Sequence, residues 1–317
     1  MLLFSTYFLL FQHFSKAEKS KCFKDFYPEK HNQNRILGGN DCGEGLWPFV
    51  VQIMIGNGAF NVGMAPGRGN CTGSIIHEEY ILTASHCIFE KGDHGLAGRP
   101  PSDFKVIVGS IKYGINGKIH LVEEVIKHAG YNALGDHDIS LLKLKTPIII
   151  NEMAKPICLT EKFPITFQKV VAIGFGTTAT PIHGNIPKDS ESSKPEYEPN
   201  PDKNYQIGTN GGICKFVEIP ILKDEQCLHL PGTASVHFNP GDEICGGGLW
   251  KGTLEGDSGG PLVGLYKDGG YYQIGLTARG QPVTEKNGNP VDFGVYTKVS
   301  KYCKWISKET KNNVVCT

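Results

Sequence analysis

After the first eleven residues, no stretch of this 317-residue chain is long and apolar enough to cross ~30 Å of hydrocarbon as a helix. That argues against a membrane-embedded protein. An excess of either charge is also missing, since Lys+Arg and Asp+Glu both number 32. A nucleic-acid surface wants a basic surplus, so that class of partner is set aside. Neither a Cys-x-x-Cys pair nor a His-Glu-x-x-His helix occurs, so no zinc centre is expected. No cofactor and no metal are implied. Long helical patterns are scarce, and this absence turns the reading towards strands.

What the chain does have is glycine, 40 residues of it, between short Val/Ile-rich runs. Phe49–Ile53, Ile81–Ala84, Phe104–Val108, Leu121–Val125 and Ile139–Leu144 are bounded by Gly, Pro, Asn or Asp. The same holds for Val170–Ile173, Phe216–Ile219, Tyr272–Thr277 and Val295–Val299. This is the pattern of short strands in barrels or sandwiches. One helix is expected, near the end, with Ser300 as N-cap and Tyr302, Trp305 and Ile306 on one face. Leu2 to Phe11 is apolar but short, and Ser15-Lys16-Ala17 follows with small residues at its first and third positions. Residues 1–17 therefore read as a secretory signal peptide. Ten cysteines, an even number behind such a leader, read as disulfides formed in an oxidising, extracellular setting. Residues from about 180 to 210 are rich in Pro, Ser, Asn, Lys and Glu. Such a segment buries too little apolar surface to offset its ordering entropy, so it is expected to be a flexible insertion.

Three short strings carry the chemistry. Gly256-Asp257-Ser258-Gly259-Gly260-Pro261 places a serine in a glycine-lined turn whose N–H groups can point at a substrate oxygen. Leu82-Thr83-Ala84-Ser85-His86-Cys87 holds a histidine at the end of a strand-like run. Asp138-Ile139-Ser140-Leu141-Leu142 puts an aspartate at the entry of another. A serine hydroxyl is a weak nucleophile at neutral pH unless a base stands within hydrogen-bond reach and is itself oriented. His, then Asp, then Ser is the chain order of the trypsin/chymotrypsin triad, and the chain resembles that family of secreted serine proteases.

The resemblance implies Ser258 as nucleophile, His86 as general base and Asp138 as its orienting acid. Asp136 and His137 stand beside Asp138, but only Asp138 directly precedes the apolar strand. The N–H groups of Gly256 and Ser258 would form the oxyanion hole. The implied fold is all-β, two antiparallel six-stranded β-barrels packed around an active-site cleft, with a C-terminal α-helix. The first barrel would span 36–153, and the second, with the helix, 154–317.

Arg35-Ile36-Leu37-Gly38-Gly39 resembles the family's activation junction. Residues 18–35 would be a propeptide, and cleavage after Arg35 would free the Ile36 amine to pair with Asp257. The partners implied are protein or peptide substrates, protein inhibitors and an upstream trypsin-like activating protease. The resemblance also implies the pairs Cys71–Cys87, Cys42–Cys214, Cys227–Cys245 and Cys22–Cys158, which leaves Cys303 and Cys316 for each other. Since a continuous helix would hold those two apart, the chain after about Lys311 should fold back.

The resemblance places Gly252 at the floor of the primary pocket beside Thr253, Glu255 at its rim and Gly280 and Gly294 as walls, with Ala278 and Arg279 on the strand that aligns substrate. No acid stands at the floor residue Gly252, and a buried cation without a partner is costly. Cleavage after large apolar or aromatic residues is therefore expected. Leu254 replaces a cysteine of most relatives, and Arg279 replaces a tryptophan of the substrate-aligning strand. Ser85, where relatives often carry alanine, reads as a mild change. The loop Ser110 to Lys118 lacks the carboxylates that calcium-binding relatives use. Asn70-Cys71-Thr72 fits a glycosylation sequon at Asn70. The rival from another class is a non-catalytic homologue serving as a binding or regulatory module. Such proteins usually lack a triad member or the junction, and this chain has both.

Overall fold

The computed structural model describes residues 22–25, 39–56, 70–92, 95–112, 115–132, 134–163, 169–181, 205–208, 212–228, 238–249, 251–284 and 290–317. The expected signal peptide, the Arg35–Ile36 junction and the middle of the insertion lie outside the described residues. Six strands close into a barrel: β1 (Val50–Ile55), β2 (Asn70–His77), β3 (Tyr80–Thr83), β4 (Phe104–Val108), β5 (Lys118–Lys127) and β6 (Ser140–Leu144). Their order around the barrel is β1-β2-β3-β6-β5-β4, antiparallel throughout. Phe49, Ile53, Ile75, Ile81, Val106 and Leu141 fill the interior.

Strand β2 is buried from Cys71 to His77, where a barrel strand would ordinarily show water every second side chain. A Cβ at Gly73 would stand 2.8 Å from Ile81 Cγ2 and 2.9 Å from Ile53 Cδ1, inside the barrel. Thr72 and Ser74 alternate to the outer face, where the Ser74 hydroxyl donates to Gln273 Oε1 at 2.6 Å. The outer face of β2 thus meets the other half of the molecule.

That half is one antiparallel sheet built from β7 (Lys169–Gly174), β8 (Lys215–Pro220), β9 (Glu243–Leu249), β10 (Pro261–Leu265), β11 (Tyr271–Thr284) and β12 (Pro290–Lys298). With the short strand Asn40–Asp41 its order is Asn40–Asp41, β8, β7, β10, β11, β12, β9. A bridge from Ile221, just after β8, reaches Gly246 on β9, and among the described residues this sheet is a half-barrel beside a closed barrel. Val217 and Ile219 point inward with Glu218 outward between them, the period of two that one buried face demands. The architecture is all-β and fits the chymotrypsin fold. Thr178–Pro181 and Tyr205–Gly208 pair as a two-stranded ribbon at the base of the insertion.

The C-terminal helix begins later than the expected Ser300 cap, because Val299–Tyr302 is a 3-10 turn and the α-helix runs Cys303–Glu309. Lys311 and Asn312 then take left-handed φ values of 52° and 64°. This reversal brings Cys316 back to Cys303 with Cα atoms 5.7 Å apart. The other disulfides are Cys22–Cys158, Cys42–Cys214, Cys71–Cys87 and Cys227–Cys245.

Candidate active site

Strand β3 ends in buried, extended Ala84, and the chain tightens into a 3-10 turn, Ser85–Cys87. The Cys71–Cys87 disulfide fastens that turn to β2. Ser85 does more than the mild change read from the sequence. Its hydroxyl lies 2.7 Å from both the Ile139 carbonyl and the Ser140 hydroxyl, tying the His86 turn to the segment that carries Asp138. The Asp138 carbonyl accepts the Thr297 hydroxyl at 2.9 Å, which anchors the same segment to β12.

Asp138 Oδ1 accepts the His86 backbone N–H at 2.8 Å, and Oδ2 stands 2.7 Å from His86 Nδ1. The carboxylate side chain is 5% exposed and the imidazole 31%. Burial works against a charged imidazolium, but the charge and hydrogen bond of Asp138 outweigh it, so the His86 pKa is raised. The neighbours of Asp138 are engaged elsewhere. Asp136 accepts the Asn132 amide at 2.8 Å, and His137 Nδ1 lies 3.0 Å from the Tyr302 hydroxyl.

Ser258 sits in the turn ahead of β10. Gly256 at φ 98° and Gly259 at φ 76° hold left-handed backbone, and a Cβ on Gly256 would come within 2.9 Å of Gly176 Cα. The Ser258 carbonyl accepts the Thr72 N–H at 2.8 Å, and the Gly259 N–H donates to the Thr277 carbonyl at 2.8 Å. The N–H groups of Gly256 and Ser258 have no protein acceptor among the described residues. His86 Nε2 is 3.9 Å from Cys87 Sγ, and that sulfur is 3.6 Å from the Ser258 carbonyl oxygen. Cys87 Sγ thus touches both residues, and no hydrogen bond joins Ser258 Oγ to Nε2 here. Such bonds are often long before substrate binds.

Asp257 is 1% exposed. Its carboxylate accepts the N–H of Gly176 at 2.8 Å and of Leu254 at 2.9 Å. Burial pushes its pKa up to about 6, with the two N–H groups pulling back. The Cys71, His86 and Cys87 ligand atoms cluster closely enough for a metal, but a disulfide consumes both sulfurs and leaves no thiolate.

Gly280 and Gly294 face each other across β11 and β12. A bulge at Ala278 precedes them, and Arg279 turns onto Glu243 in a bidentate pair at 2.5 and 2.9 Å. Glu255 is exposed, whereas Gly252 and Thr253 are buried. Sequence reasoning missed Asp292. A Cβ on Gly252 would overlap its carboxylate, and the Thr253 N–H donates to its Oδ2 at 2.7 Å. The Asp292 carboxylate thus lies directly against Gly252, the residue expected at the pocket floor. The one signal in the sequence was an aspartate inside an otherwise apolar strand, Val291-Asp292-Phe293. Asn70 opens β2, half-buried, with Cys71 in a disulfide beside it.

The family model for trypsin matches residues 36–193 and 202–306. A curated relative, the CLIP domain-containing serine protease B15 of Anopheles gambiae, is 26% identical over 287 residues, covering 86% of this chain and 69% of that protein.

Proposed function

The chain belongs to the trypsin family, and we propose that it is a secreted serine endopeptidase, made as a precursor and activated by cleavage between Arg35 and Ile36. The observation that carries the reading is the pair of hydrogen bonds from His86 to Asp138, formed beside Ser258. With Nδ1 held by the carboxylate, Nε2 is the nitrogen left to take the Ser258 proton as the hydroxyl attacks the scissile carbonyl. Asp138 stabilises the imidazolium that forms, and His86 then protonates the leaving amine. Water enters by the reverse steps and releases the acyl group. The unpartnered N–H groups of Gly256 and Ser258 suit the oxyanion, and losing one such donor typically costs about 3–4 kcal/mol of barrier.

Two observations support the precursor. The family match begins at Ile36, the residue after Arg35. Buried Asp257 has no cation paired with it among the described residues, so an Ile36 ammonium would complete it. Cys22–Cys158, together with the Phe23 N–H to Pro156 carbonyl bond at 2.7 Å, would keep the propeptide attached after cleavage. An upstream trypsin-like protease is the fitting activator, and protein inhibitors are fitting regulators. Glycosylation at Asn70 would compete with the half-buried strand start there.

The test is labelling by a fluorophosphonate probe before and after cleavage at Arg35. The cleaved chain should be labelled at Ser258 and should hydrolyse a protein substrate, and Ser258→Ala should do neither. A cleaved, folded chain that takes no label would leave the non-catalytic binding module as the better reading.

A further inference from the structure

Charge is even over the whole chain but not along the C-terminal helix. Between Lys301 and Lys311 stand four lysines, Lys301, Lys304, Lys308 and Lys311, and one acid, Glu309. All four lysines are exposed, Lys308 with 81% of its side chain. Tyr302, Cys303, Ile306 and Thr310 are buried, so spacings of three and four residues gather the lysines on the outward face. At about 1.5 Å of rise per residue the row is roughly 15 Å long. Among the described residues its one ion pair is Lys308–Glu309 at 3.4 Å. The row continues past the helix. On β5 the Glu123 carboxyl is lowered first by its Lys143 hydrogen bond, with Lys145 and Lys311 adding to this, which sets exposed Lys145 near the end of the row. Like charges at such spacing repel one another, and a bound polyanion removes that cost while releasing its own condensed counterions.

We infer that this lysine row is a docking surface for a linear sulfated polysaccharide, a polyanion of the extracellular space. The secreted placement proposed above decides only which polyanion the surface meets, and the binding does not depend on catalysis. Lysine ammoniums are compact point charges, and no arginine stands in the row to grip phosphate with two parallel bonds. The aromatic platforms that single-stranded nucleic acids stack upon are missing too, since Trp305 is half-buried with its edge against His128 at 5.2 Å. A membrane surface wants an apolar face beside the basic one, and between Lys298 and Thr317 the one large apolar side chain exposed is Val315. On the inward side, the Tyr302 hydroxyl lies 3.0 Å from His137, the neighbour of Asp138. A polymer on the lysines would therefore lie on the side of the helix away from Asp138 and leave the candidate active site open to substrate.

The experiment uses the full uncleaved chain, with heparin as the probe and calorimetry at several salt concentrations as the readout. Engaging four lysines should give a slope of about −3 for the logarithm of the association constant against the logarithm of salt concentration. Replacing Lys301, Lys304 and Lys308 together by Gln should reduce that slope by about 2 and weaken binding about 10²-fold at low salt. These side chains are exposed, so the thermal midpoint should stay within a few degrees of the parent. A charge-matched control, with Lys112, Lys251 and Lys267 replaced by Gln in other exposed parts of the molecule, should bind as the wild type does. No binding by the wild type, or the same loss in both triple variants, refutes the surface. Tighter binding to duplex DNA or to phosphatidylserine vesicles than to heparin, lost in the row variant, overturns the sulfated polysaccharide as its occupant. None of these measurements needs turnover, so an unreactive Ser258 would sink the endopeptidase reading and leave this one standing.

Discussion

Replacing Asp257 by Asn should affect the precursor and the cleaved chain in opposite directions. In the uncleaved chain the carboxylate is 1% exposed, and its pKa rises from 3.8 to about 6 through burial, eased by the N–H groups of Leu254 and Gly176. A folded-state pKa above the unfolded value means that the native state binds more protons between those two values. The group's contribution to stability is therefore most favourable below pH 3.8, falls as pH rises and levels off above about pH 6. A two-unit shift corresponds to about 3 kcal/mol, of which about 2 kcal/mol develops between pH 4 and pH 8. Asparagine does not titrate, so Arg35→Gln precursor with and without Asp257→Asn isolates this part. Urea unfolding at the two pH values should show the Asn variant gaining about 2 kcal/mol relative to its parent on going from pH 4 to pH 8. Any fixed cost of placing the amide there cancels in that double difference. In the cleaved chain the proposed Ile36 ammonium pairs with the carboxylate, and losing one partner of a buried pair costs about 3–5 kcal/mol. Asp257→Asn should then destabilise at pH 8. Equal effects on both forms, or no dependence on pH before cleavage, would refute the pairing of Ile36 with Asp257.

Asp138→Asn should lower kcat/KM by about 10⁴-fold, the loss that follows when a triad histidine is held in the wrong tautomer. Because Asp138 raises the His86 pKa and activity requires the neutral imidazole, the acid limb of the residual pH profile should move to lower pH, which a kcat/KM titration reads directly. Replacing Cys303 and Cys316 together by Ala opens a loop of sequence separation 13 and should cost about 3 kcal/mol in urea unfolding, while active-site titration stays unchanged.

The parts of this protein that could be read from the chain are those that act over a few residues. The alternation of Val217, Glu218 and Ile219 is written in neighbouring letters, and so is the strand-end placement of His86 and Asp138. The glycines around Ser258 were legible for a similar reason. Gly256 and Gly259 hold left-handed backbone within the same turn as the serine, so local conformational need dictated local sequence. Ser85 was misjudged because its hydroxyl serves Ile139 and Ser140, which the chain reaches only after β4 and β5 have formed. The helix start was misplaced because Val299–Tyr302 keeps a 3-10 turn before the α-helix begins at Cys303. The residue expected at the pocket floor shows the limit most clearly. Counting back from Ser258 finds Gly252 and no charge, yet strand pairing brings the Asp292 carboxylate to the space that a side chain at Gly252 would fill. A missing Cβ on one segment and an interior acid on another are two halves of a single feature. Neither half has a local reason to exist, and a buried aspartate in an apolar strand is the half that should have prompted the search for its complement.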